Sequence, residues 1–372
     1  MTLLKTWQMP IILGMVQLLA LFLPQMQLNL YVQMVLMYVG INIILTASLN
    51  LVNGYMGEFS VGHAAFMAIG AYASSILTVL ILPRRWGPAE ALRVLPVIGP
   101  ELANGVYLVP AVLVGGAIAA VAGLVLAFPS FKTRGDYLAI VTLAFNMIVK
   151  SLLENSCVIG GLVARLIAPL SASLSADVLR LSDAVGGPRG LLGMSKLTSL
   201  FWVYLWVIVS LFAMRNFIFS NFGRGVVSIR EDETAAGLVS VNTRQVKVLT
   251  FVISSFFAGV AGGLFAHVLQ FINPRSFTIL KSTDILVMVY LGGIGSLMGS
   301  ILGAAVFTIL LEVLREVIPL VGLSEVWRWV VGPLLLVTLM IFRPRGIMGL
   351  REFKGFLPKE EEVKLEAAPA PP

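Results

Sequence analysis

The sequence is poor in charge. Of 372 residues only 12% are Asp, Glu, Lys or Arg, and 58% are hydrophobic, with a mean hydropathy of +0.94; a soluble domain carries about twice that charge. This scarcity excludes a water-soluble globule. Cysteine is almost missing: Cys157 stands alone, which excludes an internal disulfide and a cysteine-based metal cluster. Only two histidines, His63 and His267, are present, which leaves little from which to build a histidine metal site. The alternation of polar and apolar residues that marks a membrane β-barrel strand is absent too, so the long apolar runs read as helices.

Catalytic signatures are also lacking. The sequence has no G-x-x-x-x-G-K-[ST] phosphate loop, no H-E-x-x-H and no G-x-S-x-G, and the cluster Gly293-Ile294-Gly295 lacks the later glycine of a dinucleotide loop, residue 298 being Met. The chain is therefore not expected to be an enzyme. If it moves a solute uphill, the energy comes from an ion gradient or from a partner subunit.

What is abundant is apolar sequence in runs long enough to cross the roughly 30 Å hydrocarbon core of a bilayer. Charges, prolines and glycines divide it into ten candidate spans at 11–24, 31–52, 59–82, 107–128, 137–153, 197–218, 247–269, 282–293, 298–317 and 326–342. The expected fold is all-α, a polytopic transmembrane helical bundle. The glycine break at 292–296 leaves 282–317 as either two crossings or one broken helix, giving ten spans or nine. With ten, the segments assigned to the inside hold more of the Lys and Arg than those outside, which puts both termini in the cytoplasm. The net charge of +7 serves this topology in a lipid environment rather than binding nucleic acid. Residues 1–342 form the transmembrane domain, its first run reading as an uncleaved span. The remaining 343–372 form a tail, disordered from about 359, where a Glu run meets Ala-Pro repeats.

Few acids fall within the spans: Asp284, Glu312 and Glu316, of which Glu312 is spaced to pair with Arg315 on a helix. Small residues recur every four positions at Gly259 and Gly263, and at Gly295, Gly299 and Gly303, a spacing that lets helix backbones approach closely in lipid. The stretch 53–63 breaks an otherwise continuous apolar run. Irregular backbone at membrane depth requires protein or a watery cavity around it, so Asn50, Asn53, Ser60 and His63 are candidates to line a solute path, with an ordinary interfacial turn as the alternative.

The loop 219–246 is the longest ordered-looking connection on the inside. Ser228 followed by Glu231 matches a capping box and predicts that a short helix begins there, and Asn242 with Gln245 predicts a second helix start. The segment Arg230, Glu231, Asp232, Glu233, Thr234, Ala235, Ala236 is then either a solvated connector or a helix inserted into a cytoplasmic partner. In the second reading, small Ala235 and Ala236 enter the partner's groove while Arg230 and Glu233 pair at its rim.

Four stretches in this order, LVNGYMGEFSVGHAAF at 51–66, RGDYLAIVTL at 134–143, REDETAA at 230–236 and GIGSLMG at 293–299, resemble the membrane-spanning permease subunit of branched-chain amino acid ABC importers over most of residues 30–320. The resemblance implies an ABC-importer permease fold and a heteromeric importer of branched-chain or similar hydrophobic amino acids in a bacterial or archaeal plasma (inner) membrane. It also implies the partners: a second permease subunit, two cytoplasmic ATPase subunits that hold ATP and Mg, and an external substrate-binding protein. This chain itself would bind no cofactor. By the same resemblance 230–237 is the helix received by an ATPase, although Gly237 stands where the family has a helix former and Ser240 where it has a helix-ending glycine. Urea and amide importers share much of the pattern and remain the alternative. An ion-coupled secondary transporter and a membrane enzyme are the readings from other classes.

Overall fold

In the computed structural model the described residues are 29–83, 100–131, 137–167 and 172–320, with isolated positions between 327 and 348. The span expected at 11–24, most of that at 326–342, positions 134–136 and the tail lie outside them. Among the described residues twelve α-helices follow one another: α1 (Leu30–Asn50), α2 (His63–Ile76), α3 (Pro100–Ser130), α4 (Tyr137–Glu154), α5 (Ser156–Ile167), α6 (Ala172–Val185), α7 (Leu200–Ile218), α8 (Asn221–Glu231), α9 (Glu233–Leu238), α10 (Thr243–Leu269), α11 (Ile279–Gly292) and α12 (Leu297–Leu320). Among the described residues no β-strand forms; a single bridge joins Leu191 to Ile272. The chain is an all-α polytopic membrane protein.

Among the described residues seven helices are long and apolar enough to cross a bilayer: α1 with its wide last turn (Leu30–Tyr55), α2 with its own (His63–Ile81), α3, α4, α7, α10 and α12. The expected span 282–293 corresponds to α11, whose 14 residues extend about 21 Å, short of the hydrocarbon thickness. It is one arm of a hairpin. A methyl group added to Gly299 would lie 2.7 Å from the carbonyl oxygen of Gly292, and one on Gly303 2.7 Å from the Gly292 nitrogen, so α12 folds back along α11. The region 282–317 is therefore two antiparallel arms joined by a turn. Gly295 sits in that turn at φ +78°, before α12 begins, so it does not share the helix face of Gly299 and Gly303 as the spacing suggested.

At the centre α10 packs against α2 and α3. A methyl on Gly259 would lie 2.5 Å from Ala119 Cβ and 3.0 Å from Gly116 Cα, and one on Gly263 would lie 3.1 Å from Ser74 Oγ. Between apolar helices in lipid there is no hydrophobic drive, so close backbone approach supplies the attraction through van der Waals contact. The C-terminal part of α1, from Val39 to Asn50, is buried on all sides. The stretch 154–196, between the expected spans 137–153 and 197–218, is mostly helical, α5 and α6 packing with Ser182 against Gly160.

Candidate functional site

The broken segment between α1 and α2 is positioned residue by residue. After Asn50 the helix widens by one residue per turn over Leu51–Tyr55, closed by Met56 N–H donating to Leu51 O at 3.1 Å; such wide turns mark functional positions in helices. Residues 57–62 are not helical, and protein groups satisfy their backbone. Glu58 N–H donates to Val52 O at 3.1 Å. Ser60 N–H donates to Asn53 Oδ1 at 3.2 Å, and Asn53 Nδ2 donates back to Ser60 O at 3.4 Å. Val61 N–H donates to Thr142 Oγ1 at 3.1 Å. The hydroxyl of Ser282 in α11 accepts from Ala64 N–H at 3.1 Å, in the first turn of α2. Irregular backbone inside the bundle survives because side chains replace the missing helical partners.

The four residues proposed from the sequence to line a path are all buried: Asn50, Ser60 and His63 at 1% exposure or less and Asn53 at 9%. Asn50 clamps the α11–α12 turn, its Oδ1 accepting from Gly295 N–H at 2.9 Å and its Nδ2 donating to Ser296 O and Ser300 Oγ, both at 2.8 Å. His63 Nε2 lies 3.1 Å from Ser48 Oγ and 3.3 Å from Ser254 Oγ, near the middle of α10. The Ser60 hydroxyl is buried with no hydrogen-bond partner.

The loop after α7 holds two helices rather than one. Ser220 caps α8, its Oγ accepting from Gly223 N–H at 3.3 Å, and α8 has already run for about three turns when it reaches Arg230 and ends at Glu231. Ser228 is thus interior to α8, and its hydroxyl donates to Gly225 O at 2.8 Å; the predicted capping box does not form. The short helix begins later, with Asp232 in place of Ser228 as its cap. Asp232, in extended conformation at φ −158°, both ends α8 and caps α9, its Oδ1 accepting from Thr234 N–H at 2.8 Å and Ala235 N–H at 3.0 Å. The second expected start is present: Asn242 Oδ1 accepts from Gln245 N–H at 3.1 Å and opens α10. Ser240, where the resemblance expects a glycine, takes a left-handed φ of +65°.

These two regions meet in one polar junction. Arg230 Nη1 donates to Gly54 O at 3.2 Å, and its Nη2 pairs with Glu231 at 2.8 Å, not with Glu233. Its aliphatic stem lies over Gly57: a methyl there would come within 2.7 Å of Arg230 Cγ, and Gly57 itself has φ +78°, so the contact requires glycine twice over. Lys247, at the base of α10, reaches Glu58 at 2.6 Å and Glu233 at 2.9 Å, with its ammonium 6.0 Å from the Phe131 ring centre. Its side chain is only 9% exposed. Lys247 and Glu58 carried no local signal in the sequence, because the pairing joins positions 189 apart.

The outward surface of the junction also differs from expectation. Ala236 is 3% exposed and belongs to this chain's own core, whereas Ala235 and Gly237 are exposed. Leu238 and Val239 stand out at 84% and 71% exposure. The helix therefore presents an apolar tip just beyond a ring of charges. Three segments that ten alternating spans assign to one side, at 53–60, 219–246 and 293–296, come together at this end of the bundle.

Comparison with known proteins gives a consistent result. Residues 31–339 match the family model described as branched-chain amino acid transport system / permease component. The chain is 32% identical over 317 residues to the high-affinity branched-chain amino acid transport system permease protein LivM of Escherichia coli K12, covering 83% of this chain and 68% of that protein. It is 24% identical to the probable branched-chain amino acid transport permease protein LivM of Methanocaldococcus jannaschii, covering 85% and 93%. A shorter match, 32% identical over 151 residues and covering 40% and 47%, is to the E. coli permease protein LivH. No solved structure matches the chain.

Proposed function

Because the chain belongs to the family of branched-chain amino acid transport system permeases, we propose that it is one membrane-spanning subunit of an importer that moves branched-chain amino acids with energy from ATP hydrolysed on other chains. The observation that carries this reading is the junction: a short capped helix with an exposed apolar tip at Leu238 and Val239, held by Lys247 and Arg230 to the interrupted helix. A helix so placed transmits force between a partner outside the membrane and a helix inside it. The partner's groove takes the tip together with the exposed side of Ala235 and Gly237, while Glu231 and Asp232 stand at its rim.

The assembly has two permease subunits, and the similarity of this chain to proteins named LivM and LivH supports a pair of related chains. Two ATPase subunits bind ATP and Mg on the cytoplasmic face, which is the end carrying α9, and an external binding protein delivers the solute at the other. Both termini lie in the cytoplasm, and the membrane is a bacterial or archaeal inner membrane. The path runs past the interrupted segment, with the buried Ser60 hydroxyl at its edge.

The test is reconstitution. The permease pair with its ATPases and binding protein in proteoliposomes takes up labelled leucine only when ATP is present on the α9 side. Leu238→Arg leaves insertion and melting unchanged but abolishes ATPase association and uptake. Leucine uptake driven by a proton or sodium gradient through this chain alone refutes the reading, as does uptake of labelled urea in preference to leucine.

A further inference from the structure

About 27 Å along α10 separates Lys247 at the junction from Phe265 near its other end, at 1.5 Å per residue. There a cavity of about 360 Å³ opens between α1, α10, α11 and α12, a volume within the usual range for small-ligand pockets, roughly 300–1,000 Å³. We infer that this cavity is a low-affinity receiving site for a zwitterionic amino acid with an apolar side chain, on the side where the solute enters. The inference rests on the proposed importer function and deepens it.

The walls carry both charges of a zwitterion and a surface for its side chain. The acidic part is Glu312 with Asp284. Glu312 Oε1 lies 3.8 Å from Arg315 Nη1, the Tyr31 phenol stands beside the same carboxylate, and the Oε2 atom is buried without a hydrogen-bond partner of its own. A carboxylate oxygen withdrawn from water and left so is costly unless a donor arrives, and an ammonium group supplies one. The basic part is Lys281 with Arg275. Lys281 Nζ lies 3.4 Å from Asn42 Oδ1, and Asn42 is fixed in turn by donating to Thr308 Oγ1 at 2.9 Å. Thr278, at the N-terminal end of α11, caps none of that helix's first-turn N–H groups with its side chain, so the positive end of the helix adds to Lys281 in attracting a carboxylate. Tyr38 and Phe265, with ring centres 6.0 Å apart, and Met288 and Leu311 form the apolar wall.

The four path candidates taken from the sequence do not line this cavity. Lys281 and Asp284 share α11 and Glu312 and Arg315 share α12, so each arm of the hairpin offers both signs of charge to the cavity; such a site holds an amino acid by its common backbone, and its apolar wall accepts branched side chains without distinguishing them finely.

The experiment uses the complex of both permease subunits with the ATPases, purified without the binding protein and placed in lipid nanodiscs. Equilibrium binding of labelled L-leucine is measured against two competitors: 3-methylbutylamine, which lacks the carboxylate, and 4-methylpentanoate, which lacks the ammonium. The inference expects saturable leucine binding, with each half-analogue at least about tenfold weaker, since each loses a charge-assisted contact. Glu312→Gln should weaken leucine about tenfold while leaving 4-methylpentanoate unchanged, and Lys281→Gln should do the converse with 3-methylbutylamine. No leucine binding by the wild-type complex, or equal competition by all three compounds, overturns the inference. So does a Glu312→Gln protein that loses all ligands equally. The competition series needs only the wild type, so it decides the matter whether or not the variants assemble. A complex that imports leucine with ATP and is indifferent to Glu312→Gln keeps the importer function and loses the cavity, which separates the two failures.

Discussion

Lys247 Nζ lies 2.6 Å from Glu58 Oε1 and 2.9 Å from Glu233 Oε2, so one ammonium at the base of α10 holds the interrupted helix and the short helix α9 at once. Its two partners differ in exposure, 23% for Glu58 and 55% for Glu233, and so in what each contact is worth.

Lys247→Met should destabilise the protein by roughly 3 kcal/mol, because removing one partner of a largely buried pair strands the other charge. Glu233→Gln should cost much less, about 0.2–1 kcal/mol, since an exposed carboxylate is screened by water and salt. Thermal melting in detergent at low and high salt checks both: the Glu233→Gln effect shrinks with salt and the Lys247→Met effect persists. Equal losses for the two would show that the ammonium is solvated.

Asn50→Leu should unlatch the α11–α12 turn. It removes the acceptor of Gly295 N–H and the donor to Ser296 O and Ser300 Oγ in a buried place, and each buried group left unpaired costs about 1–3 kcal/mol. Limited proteolysis near 293–296 should become faster and the melting temperature should fall.

Gly299→Leu should disrupt the hairpin and the assembly. The added carbon meets the Gly292 carbonyl at 2.7 Å, which is backbone and cannot swing aside, and overpacking of this kind costs about 1–3 kcal/mol or more. Gly161, whose added methyl would meet nothing within 4 Å, is the control: Gly161→Ala should fold normally and gain up to about 1 kcal/mol from helix propensity. Melting and subunit copurification of the two variants check the contrast.

The end of the short helix offers a stabilising pair. Ser240 holds φ +65°, a conformation that costs a side-chain-bearing residue about 1 kcal/mol, and Gly237 faces open space inside α9, where glycine costs about the same relative to alanine. Ser240→Gly and Gly237→Ala should each slow amide exchange in 233–239. Faster exchange in either would mean that α9 is held by its contacts and not by its own propensity.

Local chemistry made part of this legible. The apolar runs located the membrane helices, and Asn242 with Gln245 marked the start of α10. The same rule misfired at Ser228, because a Ser-x-x-Glu pattern does not reveal whether a helix is already under way; Ser220 had opened it. The face of α9 was misread for a related reason: six residues are too few to show a period, so nothing marked Ala236 as inward and Leu238 as outward. The junction itself was invisible, since Lys247 reads as a loop charge until the fold brings Glu58 beside it. The cavity at the far end draws on four helices, and the sequence hinted at it only through the intramembrane acids Asp284 and Glu312 and the spacing of Glu312 to Arg315.

Asp232 closes one helix and opens the next with no residue between them. A joint of that kind has two dihedral angles and no slack: α9 can swivel about it, but cannot slide away from α8. Pressure applied at Leu238 is therefore converted to rotation at the elbow, and the first things displaced are the carboxylate of Glu233 and, through Lys247, the segment that carries Glu58. A one-residue insertion after Asp232 would leave every helix intact and turn this lever into a loose tether.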